Sequence, residues 1–77
     1  MSGQQMDRKA LAGAAALAIC ESLLLALAER KVLSDGEICG VLEDAAMAHR
    51  GASGTPQELA DHAVVARIID KVRDSVT

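Results

Sequence analysis

Apolar residues recur at helical spacing along three segments of the chain, and short polar clusters separate these segments. The first segment runs from Asp7 to about Lys31, consists largely of alanine and leucine, and contains no proline. Asp7 is suited to cap a helix, because an aspartate there lies near the positive end of the helix dipole. The pattern predicts a long first helix over residues 7–31.

The apolar positions of this first helix form more than one stripe. Leu17, Cys20, Leu24 and Leu27 recur at steps of three and four residues, which places them on one face. Leu25 falls off that face and adds a second apolar feature. A monomer of this size has little else with which to bury both, so the pattern favours contact with another molecule.

The second segment begins with a capping box, Ser34-Asp35-Gly36-Glu37, in which Ser34 and Glu37 cap one another. Leu33 and Ile38 occupy the positions of a hydrophobic staple around this box. These signals predict a second helix over residues 35–50 that stops at Gly51. Its predicted apolar face comprises Ile38, Val41, Leu42, Ala45 and either Ala48 or His49.

The third segment follows a Gly/Ser linker and starts with a second capping box, Thr55-Pro56-Gln57-Glu58, with proline at the first helical position. It predicts a helix over residues 56–75. The expected buried stripe is Leu59, His62, Val65, Ile69, Val72 and Val76, widened by Val64 and Ile68.

These elements predict an all-α protein with a disordered N-terminus over residues 1–6 and a single helical domain over residues 7–77. We expect an antiparallel helical hairpin plus a third helix. Apolar residues make up 51% of the 77 residues, but aromatic residues make up 0%, and alanine is the largest contributor. Such a thin core favours completion of the bundle by homodimerisation.

The composition also argues against one class of partner. The formal net charge is −3 and stacking aromatics are absent, so nucleic acid is not an expected partner. We therefore expect a cytoplasmic, non-catalytic oligomerisation or protein-protein interaction module without a cofactor. The high alanine content is compatible with a bacterial source. The expected interaction surface consists of Leu17, Cys20, Leu24, Leu25, Leu27, Val65, Ile69 and Val72.

A membrane-associated or exported protein is the main alternative. Residues 10–28 are nearly long enough to span a bilayer and contain only Glu21 and Ser22 as polar side chains. A charge in mid-span costs about 2.5–3.5 kcal/mol, and no tryptophan or tyrosine marks an interface. Arg8 and Lys9 before an apolar run are also typical of a signal peptide, although Ile19 is too large for lipoprotein cleavage before Cys20. A membrane role is therefore not the expected one.

An enzyme or a metal-binding protein is the other alternative, and three features of the sequence bear on it. Glu58 and His62 lie one helical turn apart and could chelate a metal, but His62 also completes an apolar stripe. Cys39 lies near a helix start, which favours a thiolate, but acidic neighbours oppose ionisation. His49 could accept a phosphoryl group, but no phosphotransfer motif surrounds it. None of these features is assigned a catalytic or metal-binding role.

The two cysteines, Cys20 and Cys39, are expected to be reduced. If the first two helices form a hairpin with its turn near residue 33, the two positions are offset by about 10 Å along the helix axes. A disulfide needs Cα atoms within about 7 Å. Both residues are therefore expected to be small buried hydrophobes in a reducing compartment.

Residues 29–37, with a basic residue, Val32-Leu33-Ser34 and then an acid, resemble the turn of short helical-hairpin modules such as the small C-terminal oligomerisation hairpins of bacterial proteins. The likeness covers nine residues of capping chemistry that any αα-hairpin can use. It assigns no family. A helix-turn-helix DNA reader is disfavoured, because its second helix would carry Glu37, Glu43 and Asp44 toward phosphate.

Overall fold

A computed structural model describes residues 7–77, and the segment 1–6, expected to be disordered, lies outside this range. Three helices make up the described part: α1 at Arg8–Glu29, α2 at Asp35–Arg50 and α3 at Pro56–Val76. Residues 7–77 contain no strand. The all-α prediction and its three helices are confirmed, with ends that differ by at most two residues.

All three helices begin at the predicted caps. Asp7 Oδ1 accepts a hydrogen bond from the Ala10 amide at 2.8 Å. Ser34 forms a complete capping box with Glu37, and Thr55 forms one with Glu58. The hydrogen bonds that Glu37 and Glu58 accept from the Ser34 and Thr55 backbones lower the pKa of each carboxyl. The carboxylates therefore stay charged beside the positive ends of α2 and α3.

The first helix ends at Glu29, two residues before the predicted end. Lys31 adopts a φ of 57°, which lies in the left-handed region and cannot continue a right-handed helix. The amide of Val32 donates back to the carbonyl of Leu27 at 3.0 Å and closes the helix end. The chain then enters the short turn that leads to Ser34.

The closely packed pair of helices is α2 with α3, rather than α1 with α2. The two run antiparallel and enclose the core, which consists of Ile38, Leu42, Ala46, Ala66, Val72 and Val76. Leu33 packs against this cluster, as the predicted staple requires. At the surface, Arg50 pairs with Asp70, and Arg73 lies 3.6 Å from Glu43 across the same helix pair.

The buried stripes of α2 and α3 differ from the predicted ones in both large and small residues. On α2, burial follows Ile38, Leu42 and Ala46, whereas Val41 is 55% exposed and Ala45 also faces solvent. The expectation that Val41 and Ala45 lie in the core is wrong, because α2 has one close neighbour and buries only a narrow stripe. On α3 the predicted core residue Leu59 is 43% exposed, and the unpredicted residue Ala66 is fully buried.

The first helix lies apart from this pair. Leu24 and Ala28, in its C-terminal half, pack against the α2–α3 core together with Leu33 and Ile69. Every residue from Asp7 to Cys20 is exposed. The molecule is therefore open, with extents of 44 × 32 × 14 Å and a radius of gyration of 14.6 Å. A compact chain of this length has a radius of gyration of about 11.5 Å.

Candidate interaction surface

The most unusual feature of the described chain is an apolar helix without a buried residue. None of the 22 residues of α1 is buried. It is long and apolar enough to cross a membrane, which the core helix of a soluble protein or a signal sequence can also be. Five of its seven large aliphatic side chains lie substantially in water: Leu11, Leu17, Ile19, Leu23 and Leu25 are 38–67% exposed.

A groove separates the exposed half of α1 from α3. Its volume is about 530 Å³, and its lining carries no charged side chain: Gly13, Ala14, Ala16, Leu17, Cys20, Val65, Ile68 and Ile69. It exists because α1 contacts the core only through its C-terminal half, so its N-terminal half does not close onto α3. Apolar grooves of this kind are sites where another molecule binds.

The groove brings together four of the eight residues predicted to form an interaction surface. Leu17 and Cys20 line it from α1, and Val65 and Ile69 line it from α3. Leu24 and Leu27 are half-buried, with Leu24 against the α2–α3 core, and Leu25 is 42% exposed. Val72 is only 6% exposed and belongs to the core, so it is removed from the surface.

The remaining lining residues are not among the eight predicted ones. Gly13, Ala14 and Ala16 are small, and the predicted surface consists of larger apolar side chains and a cysteine, although this Gly/Ala-rich stretch suits the close approach of another helix. The signal that could have found them is their position, since Gly13 and Ala16 continue the Leu17–Cys20 face by one turn. Ile68 was recognised only as a residue that widens the α3 stripe.

A polar cluster lies where α2 ends beside α3. His49 Nδ1 and His62 Nδ1 are 2.8 Å apart, so one ring donates a hydrogen bond to the other. A shallow cleft of about 340 Å³ lies next to the pair and is lined by His49, Arg50, Leu59, Ala63 and Arg67. Arg50 donates a hydrogen bond to Asp70, and this bond holds the pKa of the Asp70 carboxyl below its ordinary value. The cluster thus joins α2 to α3.

The side chains that could have bound a metal, Glu58 and His62, make other contacts in the structure. Glu58 Oε1 accepts a hydrogen bond from the Thr55 amide at 2.8 Å, and His62 shares a hydrogen bond with His49. Asp61 Oδ1 accepts a hydrogen bond from Gln57 at 3.1 Å. Among residues 7–77, no three histidine, cysteine or acidic side chains converge in a way that could hold a metal ion.

The two cysteines are free thiols in different surroundings. Cys20 is exposed on the groove face of α1, contrary to the expectation that it is a buried hydrophobe. Cys39 is half-buried on α2, with its Sγ 3.6 Å from Glu43 Oε2. Desolvation, and then the negative charge of Glu43, raise the pKa of the Cys39 thiol. A raised pKa disfavours the nucleophilic thiolate form.

Comparison with known proteins adds no relative: no family model matches the sequence, and no curated protein or solved structure matches it significantly. The class of protein is therefore defined by the fold alone. It is a small all-α protein in which α2 and α3 form the core and the apolar helix α1 is set apart from them.

Proposed function

We propose that this protein is a small, non-catalytic helical interaction module that self-associates in the cytoplasm, and that α1 is the segment by which it does so. The observation that carries the proposal is the exposure of α1, an apolar helix of 22 residues with no buried position. A helix that is apolar on several faces is ordinarily covered, either by protein or by lipid. We assign the chain no catalytic residue and no cofactor.

The exposed area supports this proposal. The chain exposes 5809 Å², whereas a compact monomer of 8.0 kDa exposes about 4,450 Å². Part of this excess lies on α1, where Leu11, Leu17, Ile19, Leu23 and Leu25 are 38–67% exposed. Surface of this kind is what an oligomer removes from water.

The first test is the absolute mass of the protein in solution. We expect light scattering after size exclusion, without detergent, to give twice the chain mass of 8.0 kDa or a higher multiple. The mass is expected to be the same with and without reductant, because the association is proposed to rest on apolar contact rather than on a disulfide. A stable 8.0 kDa monomer at high micromolar concentration would contradict the proposal.

A membrane-associated role is the second candidate, and the length of α1 favours it. A 22-residue helix is about 33 Å long, close to the 30 Å thickness of a bilayer core. Glu21 opposes it, because a carboxylate in mid-span costs about 2.5–3.5 kcal/mol. The two candidates are separated by the same measurement: a membrane protein would not stay in solution without detergent.

A further inference from the structure

We infer that the groove between α1 and α3 is filled by α1 of a second copy of this chain. The two α1 helices then meet on the face that carries Gly13, Leu17 and Cys20, and each lies against α3 of the other chain. This inference rests on the self-association proposed above and adds the geometry of the contact.

The chemistry of the groove restricts what can fill it. Among its eight lining residues, the thiol of Cys20 is the sole polar side-chain group. A charged or hydrogen-bonding occupant would lose its contacts with water and gain none, so the occupant must be apolar along its length. The chain itself carries such a segment, since residues 10–20 contain no charged side chain and only the weakly polar Cys20 thiol.

The shape of the groove face suits an approaching helix. Gly13 and Ala16 leave the α1 surface low on either side of Leu17, and small residues allow two helix backbones to approach closely. A Cβ atom added at Gly13 would meet nothing within 4 Å in the single chain. The fold of one chain therefore gives no steric reason for this glycine, although glycine lowers the helix propensity.

Each chain contributes two helices to the contact. A helix of 22 residues treated as a cylinder about 33 Å long and 10 Å across has about 1,000 Å² of lateral surface, of which one side, about 500 Å², can face a partner. The groove-lining side of α3 adds to this area, toward the roughly 800 Å² that a standard interface covers on each partner. A contact in which each chain gives α1 and receives α1 is self-complementary, which is the requirement of a two-fold dimer. It builds a four-helix layer from two copies each of α1 and α3.

Two charge-introducing substitutions test the arrangement. Leu17 lines the groove, whereas Ile19, 67% exposed and two residues further along, points to nearly the opposite side of α1. Leu17→Glu is expected to weaken dimerisation at least about 100-fold by burying an unpaired carboxylate. Ile19→Glu adds the same charge and is expected to change the dimer dissociation constant less than about threefold. Sedimentation equilibrium over a range of concentrations measures both.

Gly13→Leu separates folding from association. Because the site is open in one chain, we expect the variant to keep or increase its helix content by circular dichroism. We expect the same variant to raise the dimer dissociation constant at least about tenfold, because the added side chain keeps the two α1 helices apart. An unchanged or tighter dimer would overturn the inference.

The two native cysteines provide an independent readout of proximity. The Cys39→Ala variant keeps Cys20 in the groove, and the Cys20→Ala variant keeps Cys39 on α2. A short bismaleimide is expected to give a covalent dimer from the first variant and none from the second. Complete labelling of both variants with a monofunctional maleimide at the same pH controls for the raised pKa of the Cys39 thiol.

The outcomes distinguish the inference from the proposed function. A dimer that withstands Leu17→Glu but dissociates on Ile19→Glu would overturn the groove arrangement and leave self-association intact. A dimer that crosslinks through Cys39 and not through Cys20 would do the same. A wild-type chain that is monomeric throughout, or stays in solution only with detergent, would overturn both.

Discussion

Replacing Ile38 with alanine is expected to lower the free energy of unfolding by about 2–5 kcal/mol, which is the cost of emptying a buried aliphatic site. Ile38 is the one large side chain among the described residues that is fully buried, at 0% exposure. It belongs to one cluster with Leu42, Val72 and Val76, and Leu24 and Ala28 of α1 pack on the same cluster. Small domains have only about 0.05–0.15 kcal/mol of stability per residue, so much of the total is at stake.

The matched control for Ile38→Ala is Val41→Ala on the same helix. Val41 lies three residues further along and is 55% exposed, so its truncation is expected to change stability by no more than about 0.5 kcal/mol. Urea denaturation followed by circular dichroism at fixed protein concentration measures both variants. Equal losses at the two positions would contradict the one-sided burial of α2.

Gly54→Ala is expected to have the second largest effect and to destabilise the protein by about 1–3 kcal/mol. Gly54 has a φ of 156°, which residues with a side chain rarely adopt. A Cβ atom there would lie 2.8 Å from Glu58 Oε1 and 3.1 Å from Glu58 Cβ. Since Glu58 closes the capping box of α3, the substitution strains the linker and displaces the cap together.

The control for Gly54→Ala is the same substitution in the middle of α2. Gly40 has no atom within 4 Å of an added Cβ and lies in regular helix. Gly40→Ala is therefore expected to stabilise the protein by about 0.5–1 kcal/mol through helix propensity. The two variants should shift the urea midpoint in opposite directions. A stabilising Gly54→Ala would show that the linker conformation is not required.

The ends of the helices could be predicted from the sequence because they depend on local chemistry. Asp7, Ser34 and Thr55 cap helices through atoms within three residues of themselves, so a short stretch of sequence contains all the needed information. The C-terminal end of α1 was predicted two residues too late. It depends on the left-handed conformation of Lys31, and lysine gives no sequence signal for that conformation.

The pairing of helices could not be predicted in the same way. Ala46 and Ala66 are buried to 1% and 0% exposure at the α2–α3 contact, yet alanine occurs in every segment of this chain and marks no particular face. The sequence pattern therefore identified large residues such as Val41 and Leu59 as core, although both face solvent. Which helix faces which is decided by close packing, and a periodic pattern does not encode it.

The candidate interaction surface was predictable in part. The excess of apolar residues on α1 is visible in the sequence, and Leu17 and Cys20, which were predicted to lie on one face, both line the groove. Val65 and Ile69 of α3, predicted for the same surface, line it as well. The division of α1 into a half that contacts the core and a half that does not could only be seen in the fold, because both halves consist mostly of alanine and leucine and neither carries a signal for contact with a particular helix.

The central claim is that α1 is covered by another copy of the chain, and hydrogen exchange at two protein concentrations tests it most directly. Helical residues that pack against nothing else in the fold open locally with little cost, so their amides exchange quickly unless a partner protects them. We expect residues 10–20, the half of α1 that does not contact the core, to be protected at high concentration and to lose protection on dilution, while α2 and α3 keep theirs. Rapid exchange of α1 at every concentration, without detergent, would contradict the claim.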